Sequence, residues 1–127
     1  MFVTPPFKNC LFIDDQSIDN HFATLIVNAM NFAENFFVLK YPKEALKLLK
    51  DGIIEPDLIF VDSKVGDMNG SDFVKEYKQI GIDPARTKIY MLEPADAPTA
   101  IRATNDDFIA GFVQKHLTPE KLMKIAC

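Results

Sequence analysis

A chain of 127 residues, 48% of them apolar and 25% charged, is long enough to bury one self-sufficient core and too hydrophobic to stay disordered. Its 14 Lys and Arg against 18 Asp and Glu give a net charge of −4 without a basic run to neutralise a row of phosphates, so no direct contact with nucleic acid is expected. No apolar stretch reaches the roughly 18 residues that span a bilayer, and the opening MFVTPPFKN lacks the charged start and apolar core of a signal peptide; a cytoplasmic chain without membrane contact is expected.

In chain order, Lys8 to Ile13 (KNCLFI) reads as a buried strand. Ile18, Phe22, Leu25, Ile26 and Ala29 then recur at the spacing of one helix face. Phe36 to Lys40 (FFVLK) is β-prone, and Pro42 opens a second helix with Ala45, Leu48 and Leu49 on one face and Asp51-Gly52 as its stop. Leu58 to Val61 (LIFV) is a third buried run, followed by a loop rich in Gly, Asp and Asn. A helix with Phe73 and Tyr77 follows, closed by Gly81. Lys88 to Leu92 (KIYML) is a fourth strand, Ala97 to Thr104 a weaker helix, and Gly111 to Gln114 a short fifth strand. Thr118-Pro119-Glu120 is a cap, a first-turn proline and a first-turn acid opening a last helix with Leu122 and Ile125. Cys10 and Cys127 form no CxxC motif or disulfide framework and are expected as reduced thiols. His21 and His116 stand alone and are assigned to no metal.

Five strands alternating with five helices, each strand apolar on both faces, predict an α/β fold: a doubly wound, flavodoxin-like (βα)5 three-layer sandwich with a parallel sheet in the order 2-1-3-4-5. Residues 1–127 are expected to form one domain. In that order the first and third strands are neighbours where the connections reverse, and ligands bind at their carboxyl ends. Asp14-Asp15 follows the first strand and Asp62 the third, so three carboxylates converge on one crevice. Like charges there repel unless a cation intervenes, and all-oxygen donors suit Mg2+ better than Zn2+. Against this stands a local reading in which Asp15 or Ser17 caps the first helix and Asp62 begins an Asx turn. A cap needs one acid per junction, and the doubled acid favours the cation site.

The ordered set of acid pair, Asp62, Gly70 and Lys115 (in GFVQKHLTPEKL) resembles, from about Lys8 to Ala126, the receiver domain of two-component response regulators, especially single-domain chemotaxis-type members. The resemblance implies that Asp62 is the phosphoacceptor, loaded from a phosphohistidine on a sensor histidine kinase or phosphotransfer protein. It implies Mg2+ as cofactor, held by Asp15, Asp62 and the backbone carbonyl of Lys64, with Asp14 acting through water and Lys115 pairing with a phosphoryl oxygen. Gly70 matches the glycine closing the loop after the acceptor, and Phe112 the aromatic that changes rotamer on activation. Such a chain is a phosphoacceptor regulatory domain that assists its own phosphoryl transfer, not an enzyme. With no output domain after Cys127, either its effector is expected to be a separate protein or the chain is expected to relay phosphate.

Four positions depart from the family. Glu93 stands where a Ser or Thr hydrogen-bonds the phosphoryl group; an ionised carboxylate cannot donate there. Its side chain either turns to solvent or pairs with Lys115 in imitation of an activated state. Lys64 either reaches into the acidic pocket or is solvated. Gly66 replaces a frequent Pro, and His116 replaces the Pro after the lysine, which excludes a cis X-Pro bond and leaves that loop without its constraint. Three functions remain open: a phosphorylated receiver, a degenerate receiver acting as a phosphorylation-independent interaction module, and a small aspartyl-nucleophile phosphatase. The third normally carries DxD after the first strand, whereas this chain has DDQS.

Overall fold

The computed structural model describes residues 2–66, 68–96 and 106–127. Its elements run β1 (Phe7–Ile13), α1 (Ser17–Met30), β2 (Ala33–Leu39), α2 (Pro42–Lys50), β3 (Leu58–Asp62), β4 (Lys64–Val65), β5 (Met68–Asn69), α3 (Gly70–Ile80), β6 (Lys88–Glu93), β7 (Ile109–Gln114) and α4 (Pro119–Ala126). The main sheet is parallel throughout, in the order β2-β1-β3-β6-β7. This is the predicted 2-1-3-4-5 arrangement, with the numbering shifted by a two-stranded ribbon of β4 and β5 within the segment expected as a loop. The helix expected at Ala97 to Thr104 lies outside the described residues.

Strands apolar on both faces can sit only between two layers, and the core divides accordingly. Cys10, Phe12, Leu58, Phe60 and Leu92 face α1 and α4, meeting Ala23, Val27, Met30, Leu122 and Ile125. Leu11, Ile13, Ile59, Val61, Ile89 and Met91 face α2 and α3, meeting Ala45, Leu49, Phe73, Val74 and Tyr77. Burying each such large side chain contributes about 1.5–3 kcal/mol. Burial also pushes the Cys10 thiol well above its ordinary range, and Cys10 and Cys127 are both free.

Capping follows the sequence at the start of α4 and the end of α3, and Asn69 adds a cap at the start of α3. Thr118 accepts the Lys121 N–H at 3.2 Å, Asn69 accepts that of Asp72 at 2.8 Å, and Gly81 ends α3 at φ +88°. At α1 the alternative local cap is not found, and the expected inward face is corrected. The N-cap is Gln16, whose side chain makes no capping bond, so neither Asp15 nor Ser17 serves there. The stripe Ile18, Phe22 and Leu25 is 64%, 47% and 52% exposed, while Ala23, Val27 and Met30 turn inward.

Candidate functional site

Register brings the acids together. Ile13 pairs with Val61, so Asp14 and Asp62 leave the sheet side by side. Glu93 pairs with Gln114 at the ends of β6 and β7, which puts Lys115 just past the same edge. Its N–H donates to the Glu93 carbonyl at 2.8 Å.

Each carboxylate is held by a short local bond. Asp14 Oδ1 accepts the Gln16 N–H at 2.9 Å, and the Asn20 side chain donates to the Asp14 carbonyl at 2.9 Å. Asp62 Oδ1 accepts the Lys64 N–H at 3.0 Å, the Asx turn read from the sequence. Asp15 Oδ2 accepts the Gly66 N–H at 3.1 Å. Gly66 has φ +56° in the β4–β5 turn. Proline, locked near φ −65° and lacking an N–H, could provide neither that conformation nor that bond, which accounts for its replacement.

Lys115 reaches across the crevice, and its three ammonium hydrogens meet three carboxylates: Asp62 Oδ2 at 2.7 Å, Asp19 Oδ2 at 2.9 Å and Asp14 Oδ2 at 3.1 Å. Burial pulls its pKa down, but the bonds to Asp62, Asp19 and Asp14 outweigh that and leave it raised. Asp14, fully buried, is pushed up to about 6 by desolvation first, with the Asp62 charge adding to the rise and Gln16 and Lys115 opposing it.

Asp19 went unnoticed in the sequence. An acid in a first helical turn is ordinarily a partner of the helix dipole, and only its spatial neighbours reveal more. It is 9% exposed, and its Oδ1 lies 3.0 Å from His116 Nδ1. The Lys115–His116 peptide is cis without any proline. Lys121 Nζ donates to the carbonyls of Gln114 at 2.6 Å and His116 at 3.0 Å, so the segment expected to lack constraint is tied back by α4.

The other expected residues sort as follows. Gly70 opens α3 where a Cβ would strike the Met91 side chain and come within 3.1 Å of the Asp62 carbonyl oxygen, so a small residue lets α3 start close against the end of β3. Lys64 is exposed. Phe112 is half-buried in β7 opposite Met91. Glu93 is half-buried rather than turned fully to solvent, and the Lys115 ammonium is directed at Asp62, Asp19 and Asp14 instead, so neither of the two arrangements left open by the sequence is adopted.

Asp14, Asp15 and Asp62 place oxygens within 4.8 Å of one another, with no sulfur or imidazole in the group. A hard, all-oxygen donor set of this kind fits Mg2+. No helix among the described residues is long and apolar enough to cross a membrane.

No protein-family model and no curated protein matches the sequence. Solved structures do. A two-component response regulator from Cytophaga hutchinsonii is 19% identical, with 94% of this chain and 96% of that chain covered at a TM-score of 0.75. A two-component response regulator from Legionella pneumophila is 20% identical, with 93% and 94% covered at 0.73. A CheY-like response regulator receiver domain from Methanospirillum hungatei is 17% identical, with 94% and 90% covered at 0.70. With its parallel sheet, its acids at the strand ends and these likenesses, the chain has the fold of the response regulator receiver domains.

Proposed function

We propose that the chain is a two-component receiver that takes a phosphoryl group on Asp62 and thereby changes its affinity for a separate protein partner. The observation that carries this reading is the juxtaposition of an acid triad with a lysine: oxygens of Asp14, Asp15 and Asp62 within 4.8 Å, and Lys115 Nζ 2.7 Å from Asp62. On this reading the chain is a regulatory phosphoacceptor in the cytoplasm, loaded by a sensor histidine kinase or phosphotransfer protein, and assists its own modification without acting as an enzyme.

In the transfer, an Asp62 carboxylate oxygen attacks phosphorus, the donor's P–N bond breaks as the C–O–P bond of the acyl phosphate forms, and the leaving imidazole keeps the bonding pair and takes up a proton. The Lys64 N–H and the Lys115 ammonium hold one Asp62 oxygen each and so fix the plane of the nucleophile. Lys115 also supplies the positive charge that meets a phosphoryl oxygen. Asp14, Asp15, Asp62 and the Lys64 backbone carbonyl would hold Mg2+, which when bound neutralises part of the charge gathered by the carboxylates and the phosphoryl group.

The test is intact mass after incubation with acetyl phosphate and Mg2+, for wild type and Asp62→Asn. One phosphoryl adduct on wild type alone is expected. No adduct on wild type, with a control receiver labelled in parallel, overturns the reading. It would favour instead a phosphorylation-independent interaction module, for which Glu93 at the end of β6 is the specific observation. Multiple turnover of a phosphomonoester would instead point to the aspartyl phosphatase.

A further inference from the structure

The three carboxylates around Lys115 are not equivalent. Asp14 and Asp62 belong to the oxygen cluster that fits a cation, whereas Asp19, on the first turn of α1, lies outside that group. A cation on Asp14 and Asp62 competes with the ammonium for their lone pairs, and conversion of Asp62 to an acyl phosphate removes the carboxylate's own charge and places it instead on the phosphoryl oxygens. Asp19 keeps both its charge and its Oδ2, 2.9 Å from Lys115 Nζ.

The surroundings fix Asp19 for that task. It is buried with a side-chain exposure of 9%, and its two oxygens are divided between consecutive residues, Oδ2 to Lys115 and Oδ1 to His116 Nδ1 at 3.0 Å. Both come from the segment that Lys121 ties to α4. Its neighbour Asn20 anchors the same helical turn to the Asp14 carbonyl. A carboxylate gripped at both oxygens loses little further freedom in holding an ammonium.

We propose that Asp19 is a positioning residue for Lys115, keeping its ammonium over the crevice when a cation and a phosphoryl group occupy the acid triad. The proposal rests on the receiver reading above and concerns a residue outside the acid triad. Asp19→Asn preserves shape and removes the charge. A lost charge-assisted hydrogen bond of this kind slows acetyl phosphate labelling of Asp62 by about tenfold. The Mg2+ dissociation constant, with every ligand retained, moves by no more than about threefold.

The deciding measurement is the Lys115 ammonium resonance in 15N-labelled protein, visible only when carboxylate partners slow proton exchange with water. In wild type it persists with and without saturating Mg2+. In Asp19→Asn it disappears when Mg2+ is added, while the amide spectrum remains that of the folded chain. Mg2+-induced shifts at Asp14, Asp15 and Asp62 together with a persisting Lys115 resonance in Asp19→Asn overturn this proposal alone. No Mg2+-induced shifts in wild type overturn the cation reading and this proposal with it. A wild type that binds Mg2+ yet takes no phosphoryl group overturns the acceptor reading, and the resonance still decides the role of Asp19.

Discussion

Asp14 has lost its water and faces the charge of Asp62, and its bonds to Gln16 and Lys115 do not fully compensate. With its carboxyl moved from 3.8 in the unfolded chain to about 6 in the fold, the folded state binds the extra proton between those values. Stability therefore falls as pH rises from about 4 to about 6 and levels off above, once both states are ionised. Chemical denaturation of wild type and Asp14→Asn across that window should show wild type losing stability relative to the variant as pH rises. A parallel pair of curves would mean that Asp14 ionises in the fold as readily as in the unfolded chain. The acids at the strand exits were legible because each directly follows or ends an apolar run. Asp19 was not, since its meeting with Lys115 joins positions 96 residues apart.

Helix α1 carries two apolar stripes, Ile18-Phe22-Leu25 and Ala23-Val27-Met30, and periodicity gives both the same spacing. The contacts of the first turn choose between them. Asn20 must reach the Asp14 carbonyl and Asp19 must reach Lys115, and a helix rotated to satisfy both carries Ala23, Val27 and Met30 onto the sheet. The larger side chains are left outside. Urea denaturation should therefore find Ile18→Gln and Leu25→Gln within about 0.5 kcal/mol of wild type, and Val27→Ala costing about 1–3 kcal/mol. The reverse ranking would show that the other stripe is packed. The other helices among the described residues bury the faces expected of them because each has a single apolar stripe: Ala45 and Leu49 on α2, where the expected Leu48 is only half-buried, Phe73 and Tyr77 on α3, Leu122 and Ile125 on α4.

For the whole molecule, a cation that binds the folded acid triad and not the unfolded chain adds stability by mass action, about 2.7 kcal/mol at a hundredfold excess over its dissociation constant. For a domain of this size that corresponds to a rise in Tm of about 10 °C. Calorimetry should show such a rise with Mg2+ for wild type and its loss in the Asp14→Asn, Asp15→Asn double variant; an equal rise in both would place the ion elsewhere. The fold class was open to sequence reading because it is written locally: strands apolar on both faces demand two covering layers, and the strand and helix runs alternate along the chain. So were Asp14, Asp15 and Asp62, whose places at strand ends follow from where apolar runs stop, whereas Lys115 stood out only through the resemblance to receiver domains. The rotation of α1, the left-handed turn at Gly66, the three-carboxylate grip on Lys115 and the Asp19–His116 pair were decided only in three dimensions. Periodicity fixes which residues share a face, but strand register and long-range partners determine where that face points and what it meets.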